Sequence, residues 1–393
     1  MTIISDRPSA VFNRVRLFST GHSGRREDSK NNIMASMKSG YARARLRHII
    51  GRFGREWVFR AFGPGGDDLI NRILLRYYLW RYPGINAGKG DSVVLGAYPE
   101  SSGLLQKICG KDGDPGITVV IPVHNAYDAV QDCLESVIRW TAVPYRLLII
   151  DDASTDPRIR SLLSSFAADA VHARVVFNDQ NRGYTATINK GCKLAGCDDV
   201  VLLNSDTRVT EGWLTKMAAC AKSNPRIATV TPLSNAAGVF SVPVRNRVNL
   251  IPEGLSVDDM GRLVEKLSPG LMPMVPTGNG FCMYVSRVAL AVVGDFDAVN
   301  FPRGYGEEND FCMRAAQKGF IHVIDDATFI YHQRSGSGSA VKTAVLPECM
   351  ARLHRMHPQY RIRILQWLID DPLDEFRRRL QNVLGRYQRR KND

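Results

Sequence analysis

The stretch ITVVIPVHNAYDAVQDCLESVIRWTAVPYRLLIIDD, residues 117–152, decides the fold. It opens with an apolar run at 117–123, continues with apolar residues at helical spacing over 128–140, and closes with a second apolar run at 145–150. A short apolar strand, an amphipathic helix and another strand form a βαβ unit, in which a crossover helix joins two parallel strands. The stretch therefore predicts a sheet of mostly parallel strands flanked by helices.

The same alternation continues downstream and extends the predicted sheet. Further strands are expected at 173–178, 199–204 and 227–232, with helices at 157–168, 184–195 and 211–223. Residues 234–275 then interrupt the alternation and read as an insertion with one helix near 257–267. The last predicted elements are a strand at 281–285, helices at 286–293 and 307–318, and two strands at 320–324 and 327–331. The expected class is α/β, with one such domain over about 115–340.

Both ends of the chain differ from this middle part in pattern and in charge. Residues 1–40 are polar without a clear period, which predicts a disordered basic segment. Residues 41–114 combine apolar positions at helical spacing with many arginines, followed by a Gly- and Pro-rich linker. Residues 341–393 predict a basic helical extension. The net charge of +13 is unevenly placed: residues 1–110 carry +10, residues 111–344 carry −2, and residues 345–393 carry +5.

This charge distribution leaves two interpretations of the ends open. They contact an anionic partner, such as a lipid surface, a nucleic acid or an acidic acceptor, or they are solvated surface. No apolar run approaches 18 residues, and residues 1–20 lack the apolar block of a secretory signal. The eight cysteines show no Cys-x-x-Cys spacing and are expected to be reduced. We therefore expect a cytoplasmic protein, with peripheral contact at the inner face of the membrane as the further expectation for its basic ends.

Polar residues follow three of the predicted strands at the point where each strand ends. These residues are His124-Asn125, Asp151-Asp152 and Ser205-Asp206. In open α/β sheets, ligands bind beyond the carboxyl ends of the strands. Three polar strand ends at one edge therefore predict a binding site there.

Two of these loops carry acids with alternative roles. Asp206 can bind Mg²⁺ or Mn²⁺, hard cations that prefer oxygen ligands and also bind diphosphate, or it can cap the next helix. Asp152 can accept hydrogen bonds from a base N–H or a ribose hydroxyl, or it can belong to a turn. Asp156 before Pro157 predicts a helix cap.

A third acidic group opens the predicted helix at 307–318. Glu307, Glu308 and Asp310 lie in its first turn, where the helix dipole stabilises acids. Three acids in four residues exceed what a cap requires, and a carboxylate at a rigid helix start can serve as a general base. His332, just after a predicted strand, can be a metal or phosphate ligand, although a single histidine is more often structural.

Taken in order, seven segments resemble the family 2 glycosyltransferases, which have the GT-A fold. They are ITVVIPVHN (117–125), DDASTD (151–156), NRGYTATINKG (181–191), LLNSDT (202–207), TGNGF (277–281), GYGEENDFCMR (304–314) and YH (331–332). The resemblance covers about residues 115–340. It implies an inverting, metal-dependent transfer of a hexosyl or deoxyhexosyl group from a UDP-, dTDP- or GDP-linked sugar to a glycan or lipid-linked acceptor, with Mg²⁺ or Mn²⁺ as cofactor.

The resemblance also implies roles for individual residues. For the nucleotide sugar these are Pro122, His124, Asp152, Arg182, Asn189, Asn204 and Ser205. Gly278, Asn279 and Gly280 border the acceptor, and Asp206 with His332 holds the metal. Glu308 aligns with the base, supported by Glu307 and Asp310.

Two departures and two rival functions remain at this stage. The first Asp of the family's Asp-x-Asp is Asn204, and Glu308 stands where Asp is common, so that Glu307 or Glu308 is the base. One rival is a nucleotidyltransferase-like enzyme, although the loop at 122–125 lacks the Gly and Lys of a phosphate-binding loop. The other is a catalytically inactive basic adaptor. No specific nucleic acid partner is expected.

Overall fold

The computed structural model describes residues 64–82, 115–170, 172–333 and 339–392. By its internal contacts the chain divides into two compact units, residues 1–70 and 71–393, and nearly all of the described fold belongs to the second. The expected disorder over 1–40 and the expected linker over 84–114 lie outside the described residues.

The described residues form eight strands in one sheet, in the order β3-β2-β1-β4-β7-β6-β8-β5. The strands are β1 (Ile117–Val123), β2 (Arg146–Asp151), β3 (Ala173–Phe177), β4 (Asp199–Leu203), β5 (Thr207–Arg208), β6 (Ile227–Ser234), β7 (Cys282–Val285) and β8 (Ile321–His332). Strands β1 to β4 are parallel, β6 and β8 are parallel, and β7 runs antiparallel between β4 and β6.

Helices alternate with these strands and then follow them. They are α1 (Pro64–Arg81), α2 (Tyr127–Trp140), α3 (Pro157–Asp169), α4 (Tyr184–Leu194), α5 (Trp213–Lys222), α6 (Val257–Leu267), α7 (Arg287–Val293), α8 (Glu307–Gln317), α9 (Ser339–Met356), α10 (Tyr360–Asp370) and α11 (Asp374–Asn392). The predicted cap of α3 is confirmed, since the Asp156 side chain accepts a hydrogen bond of 3.0 Å from Arg158 N.

Both faces of the sheet are buried, which explains the continuous apolar runs in its strands. Consecutive side chains of a strand point to opposite faces. Val119 and Ile121 of β1 accordingly belong to one apolar cluster, whereas Val120 belongs to the cluster on the other face. In β2, Leu147 follows the first pattern and Leu148 the second. The sheet is thus the middle layer between two cores.

Strand β1 marks the point at which the strand order reverses. It pairs with β2 on one side and with β4 on the other, both in parallel. The carboxyl ends of the three strands therefore open at the same edge, where a crevice forms between the outgoing loops. This arrangement brings together the segments that follow Val123, Asp151 and Leu203.

The prediction of two separate strands at 320–324 and 327–331 is wrong. Both belong to the single strand β8, which pairs with β6 along its length. The register shifts between the pairs Pro232–Asp325 and Leu233–Phe329, so that β8 carries extra residues there. Such a bulge interrupts the apolar pattern without ending the strand, and the acids Asp325 and Asp326 made the interruption resemble a turn.

The C-terminal helices contribute to the main core. Leu368 of α10 and Phe376 of α11 are buried in the same apolar cluster as β1 and β6. Arg377 of α11 is also buried, pairs with Asp371 and donates a hydrogen bond to the carbonyl oxygen of Val239 in the insertion. These helices are therefore packed on the part of the unit that carries the sheet.

The described residues bear on two expectations from composition, which concern the cysteines and the presence of a membrane-spanning helix. The seven cysteines among them are all free thiols, and five are buried. No helix in the described ranges is both long enough and apolar enough to cross a bilayer.

The contact between α4 and the sheet generates a stability prediction. A Cβ on Gly191 would overlap Cγ1 of Val120 and lie 3.2 Å from its Cγ2. We expect Gly191→Ala to lower the free energy of unfolding by about 1–2 kcal/mol, because overpacking outweighs the gain in helix propensity. Gly385→Ala in α11, where a Cβ meets no heavy atom within 4 Å, should raise it slightly. Urea unfolding of both variants tests this, and equal effects would contradict it.

Candidate active site

A cavity of about 500 Å³ lies at the carboxyl ends of β1 and β2. It is lined by Pro122, Val123, His124, Asp152, Asn181, Gly183, Tyr184, Thr187 and Arg303. Three of the residues expected at a nucleotide, Pro122, His124 and Asp152, therefore line one cavity. An open crevice at this edge suits an elongated ligand with a polar end.

Asn125 joins the two loops that form one wall of the cavity. Its Oδ1 accepts hydrogen bonds from Thr155 N at 2.8 Å and Asp156 N at 3.0 Å. Its own N–H donates to Ser154 Oγ at 2.8 Å. Asn125 and the following Ala126 both have φ near +60°, a strained conformation for non-glycine residues that the surrounding hydrogen bonds hold in place.

Asp152 holds a second loop against the cavity. Its carboxylate is buried and accepts hydrogen bonds from Asn178 Nδ2 at 2.8 Å and from the backbone N–H groups of Arg182 and Gly183 at 2.9 Å each. Gly183 is required here, because its φ is +81° and a Cβ would lie 2.5 Å from Pro302 O. Asp152 thus both lines the cavity and positions the start of α4.

Two residues expected near the nucleotide have other contacts. The side chain of Arg182 is exposed, and only its backbone N–H contacts Asp152. The side-chain amide of Asn189 donates to Phe296 O at 2.8 Å and accepts from Phe296 N at 2.9 Å. Asn189 therefore anchors the loop that precedes α8, and it is not among the residues that line the cavity.

The first turn of α8 places two glutamates side by side. Gly306 N donates to Glu307 Oε2 at 3.0 Å and to Glu308 Oε2 at 3.2 Å. Burial and the charge of Glu308 raise the pKa of Glu307 well above its ordinary value. Burial also raises the pKa of Glu308. Because two adjacent carboxylates cannot both ionise easily, the pair favours a shared proton, held mainly by the more buried Glu307.

Tyr184 lines the cavity and lies near the acid pair, a role that was not predicted from the sequence. Its hydroxyl lies 3.3 Å from Asn204 Oδ1 and 3.1 Å from Gly280 O, and it donates to these acceptors. A Cβ on Gly280 would lie 3.4 Å from Tyr184 Oη and 3.7 Å from Glu307 Oε1. Burial and the charge of Glu307 raise the pKa of Tyr184, so this hydroxyl stays protonated. In the sequence, Tyr184 is simply the first residue of the helix predicted over 184–195, and this position does not indicate a role in a site.

Arg303 is a second residue of the cavity that was not predicted from the sequence. It lines the cavity, is exposed, and belongs to the loop that leads into α8. The neighbouring residues Gly304, Tyr305 and Gly306 all have positive φ, which turns the chain sharply just before Glu307. A single arginine ahead of a Gly-x-Gly turn was the available signal.

Asp206 and His332 lie next to each other on adjacent strands, since β5 pairs Thr207 with His332. His332 Nε2 is 3.2 Å from Oδ1 of Asp206. The other ring nitrogen, Nδ1, is 3.2 Å from the carbonyl oxygen of Ala236, which can only accept, so Nδ1 carries a proton. Nε2 then faces a carboxylate, and either a second ring proton or a cation satisfies this arrangement.

These two residues fit a divalent cation. A carboxylate oxygen and an imidazole nitrogen are suitable ligands for Mn²⁺, and the carboxylate alone suits Mg²⁺. Within the described ranges, no group of three or more His, Cys, Asp or Glu side chains is arranged to hold a metal.

The turn expected to border the acceptor is held tightly. Asn279 N donates to Thr231 Oγ1 at 3.1 Å, and a Cβ on Gly278 would lie 2.8 Å from Met283 Sδ. Asn279 Oδ1 accepts from Phe281 N at 3.2 Å. Ser205, between Asn204 and Asp206, is partly exposed.

Asp310 has partners away from the acid pair. It is fully buried, and its carboxylate contacts Arg314 and His357, each at 2.8 Å. Burial opposes its ionisation, but the hydrogen bond from His357 and the charge of Arg314 lower its pKa overall. Its carboxylate therefore anchors α8.

The structure is thus an α/β domain with a cavity at the carboxyl ends of β1 and β2, and the cavity-lining Tyr184 lies near the buried carboxylate of Glu307. Residues 118–268 match the family described as Glycosyl transferase family 2. This match confirms the resemblance to the family 2 glycosyltransferases inferred from the sequence motifs. The expected α/β class, with helices flanking a mostly parallel sheet, is confirmed as well.

Individual relatives share only part of their length with this chain. An uncharacterized glycosyltransferase, YwdF of Bacillus subtilis, is 32% identical over 104 residues, 26% of this chain and 37% of YwdF. The O-antigen biosynthesis protein RfbC of Myxococcus xanthus is 24% identical over 227 residues, 58% of this chain and 16% of RfbC. The chain thus spans less than half the length of these curated relatives.

Among solved structures, one match is the mannosyltransferase PcManGT from Pyrobaculum calidifontis in complex with GDP-Man and Mn²⁺. The matched region covers 81% of this chain and 83% of the PcManGT chain. The sequence identity is 15% and the TM-score 0.47, so the similarity is loose.

The shared proton of the acid pair generates a pH prediction. The folded protein holds the Glu307 proton more tightly than the unfolded chain, whose glutamates titrate near pH 4.3. The stability from this group is therefore complete below that pH and is lost as the pH rises through the raised pKa. We expect Glu307→Gln to remove this loss, so that the variant gains stability relative to the wild type as the pH rises from about 4.3 through the raised pKa.

Urea unfolding across this pH range measures the difference. The exposed Glu135 offers a control, since Glu135→Gln should leave the slope of stability against pH unchanged. A Glu307→Gln slope as steep as that of the wild type would mean that Glu307 is ionised in the folded protein.

Proposed function

We propose that this chain transfers a sugar from a nucleotide-diphosphate sugar to an acceptor hydroxyl, with inversion at the anomeric carbon. The observation that carries the proposal is the placement of the Glu307–Glu308 pair beside the cavity that Asp152 lines, with Tyr184 between them. The match to the glycosyltransferase family supports the reaction class.

The cavity provides the proposed nucleotide site. Pro122 and His124 line it next to Asp152, whose Oδ2 accepts one hydrogen bond from Gly183 N and retains a lone pair for a base N–H or a ribose hydroxyl. Arg303 brings a positive charge to the same cavity, suited to the two charges of a diphosphate. Positioning of the donor by these contacts would supply much of the rate.

Glu308 is the proposed general base. Glu307 is more buried and holds the shared proton, which leaves Glu308 as the carboxylate of the pair. The raised pKa of Glu308 brings its basicity closer to what is needed to accept a proton from a sugar hydroxyl near neutral pH. Of the two candidates that the sequence left open, Glu307 and Glu308, the burial of Glu307 favours Glu308. Gly278, Asn279 and Gly280 are proposed to border the acceptor.

Asp206 and His332 are proposed to hold Mg²⁺ or Mn²⁺ together with the donor diphosphate. A bound divalent cation offsets negative charge on the departing nucleoside diphosphate. Asn204, in place of a second acid, keeps Tyr184 in position by accepting its hydrogen bond. The protein therefore contributes one carboxylate rather than two in this loop.

The nucleotide is proposed to be UDP, dTDP or GDP, and the transferred group a hexosyl or deoxyhexosyl residue. A surface glycan or lipid-linked intermediate is the proposed acceptor, supported by the similarity to an O-antigen biosynthesis protein. Free, mostly buried cysteines support a reducing compartment such as the cytoplasm, and the basic ends support peripheral contact with its membrane. Partition of a deletion of residues 1–110 between membrane and soluble fractions tests the contact of the N-terminal end.

Nucleotide binding should depend on both a metal and Asp206. In a thermal-shift panel of UDP, dTDP and GDP, each with and without Mn²⁺, we expect one nucleotide to raise the melting temperature in a metal-dependent way. Asp206→Asn should abolish the metal-dependent part of that shift, because it removes the anionic ligand. No shift with any nucleotide would favour an inactive adaptor. Transfer of a nucleotidyl group, with release of pyrophosphate, would favour the other rival.

The two glutamates should differ sharply in turnover. Glu308→Gln removes the base and should lower kcat for the nucleotide sugar identified by the panel by about 10²–10⁴-fold, with unchanged nucleotide binding. Glu307→Gln keeps a neutral hydrogen-bonding group and should stay within about ten-fold of the wild type. Product release measured by coupled assay gives both values, and the reverse order would assign the base to Glu307.

A further inference from the structure

The C-terminal helices contact the segments around the proposed active site through side-chain hydrogen bonds. The guanidinium of Arg352 in α9 donates to the carbonyl oxygen of Asn300, in the loop that leads towards α8. His357, just after α9, contacts Asp310 of α8. Tyr360 at the start of α10 contacts Asn309, the residue next to Glu308. Three successive points of this region therefore reach the loop and the first turn that present the acid pair.

The contact between His357 and Asp310 is buried on both sides. His357 Nε2 lies 2.8 Å from Asp310 Oδ1, and the side chains are 6% and 0% exposed. The other ring nitrogen, Nδ1, has no hydrogen-bond partner among the described residues, so the polar contact of His357 is directed at Asp310. Arg314 holds the second carboxylate oxygen. Asp310 is thereby fixed between its own helix and the C-terminal region.

Tyr360 links α10 to two parts of the proposed site. Its hydroxyl donates to Asn309 Oδ1 at 3.1 Å. The same oxygen accepts a hydrogen bond of 2.9 Å from Thr277 Oγ1, at the start of the turn that contains Gly278. Burial and the nearby charge of Glu308 raise the pKa of Tyr360, which keeps its hydroxyl protonated as a donor. One amide oxygen thus joins α10, the acid-bearing helix and the proposed acceptor turn.

We infer that His357 and Tyr360 are positioning residues, through which the C-terminal helices set the Glu307–Glu308 pair against the acceptor turn. Neither residue is among those that line the nucleotide cavity. Their contacts should therefore govern the chemical step more than the binding of the donor. On this inference, the C-terminal region contributes to the active site by positioning the acid pair.

The reason is geometric. Proton transfer needs the base within hydrogen-bond reach of the acceptor hydroxyl, and small displacements of a reacting group are costly. The turn before α8 has three consecutive residues with positive φ and lies outside the helices and strands. Asn309 accepts a hydrogen bond from Tyr360 and Asp310 accepts one from His357, so the C-terminal region restrains the first turn of α8, which carries the acid pair.

The inference rests on the proposed function, and Tyr360→Phe tests it with the smallest change. The wild type is first assayed for binding and hydrolysis of the nucleotide sugar selected from UDP-, dTDP- and GDP-linked donors. We expect Tyr360→Phe to lower kcat about five- to ten-fold, with unchanged donor Kd and a change in Tm of only about 2 °C. Tyr145→Phe is the matched control, because it removes a hydroxyl 3.0 Å from His172 in a region without contact to α8.

The outcomes separate the inference from the proposed function. A wild type that neither binds nor hydrolyses any nucleotide sugar would overturn the proposed function, and this inference with it. An active wild type with Tyr360→Phe within two-fold of its kcat, or with an equal loss in Tyr145→Phe, would overturn the inference alone.

His357 provides an independent arm by conservative rescue. In Gln the side-chain N–H can take the place of Nε2–H towards Asp310, whereas Ala leaves that carboxylate with Arg314 as its remaining side-chain partner. We expect His357→Ala to lower kcat at least ten-fold and His357→Gln to restore most of it, with equal donor Kd, at a temperature where both are folded. Equal kcat values for the two variants would overturn the assignment of His357.

Discussion

The buried carboxylate of Asp152 holds together the part of the molecule on which the proposed site depends. It follows β2, accepts hydrogen bonds from Asn178 and from the backbone of Arg182 and Gly183, and so fixes where α4 begins. A buried carboxylate is stable only when such donors surround it. The start of α4 in turn places Tyr184, which lies between the cavity and the acid pair.

From that point the contacts run in one continuous series across the sheet edge. Tyr184 donates to Asn204 at the end of β4 and to Gly280 in the proposed acceptor turn. Thr277 at the start of the same turn reaches Asn309 of α8, and Tyr360 reaches it from α10. Hydrogen bonds therefore link the proposed nucleotide cavity, the segments around the carboxylates and the C-terminal helices, although these come from distant parts of the chain.

The acid pair illustrates how environment assigns different properties to identical side chains. Glu307 and Glu308 are neighbours in sequence, yet Glu307 is more buried and the charge of Glu308 acts on it. The same helix turn also contains Asp310, whose pKa is lowered by partners that Glu307 lacks. Three acids in one turn thus divide into a proton holder, a proposed base and an anchor, because they face different surroundings.

Local pattern determined the strands and helices of this chain and its resemblance to a glycosyltransferase family, since alternating apolar periods and short motifs are properties of adjacent residues. It also located the polar strand ends, because parallel strands must open at a common edge. It failed at β8, where a bulge imitates a turn. Only the tertiary structure decided which glutamate is more buried, that Tyr184 joins the cavity to the acids, and that His357 and Tyr360 reach α8. Burial and long-range hydrogen bonds depend on residues far apart in the chain, and no spacing within a single sequence encodes them directly.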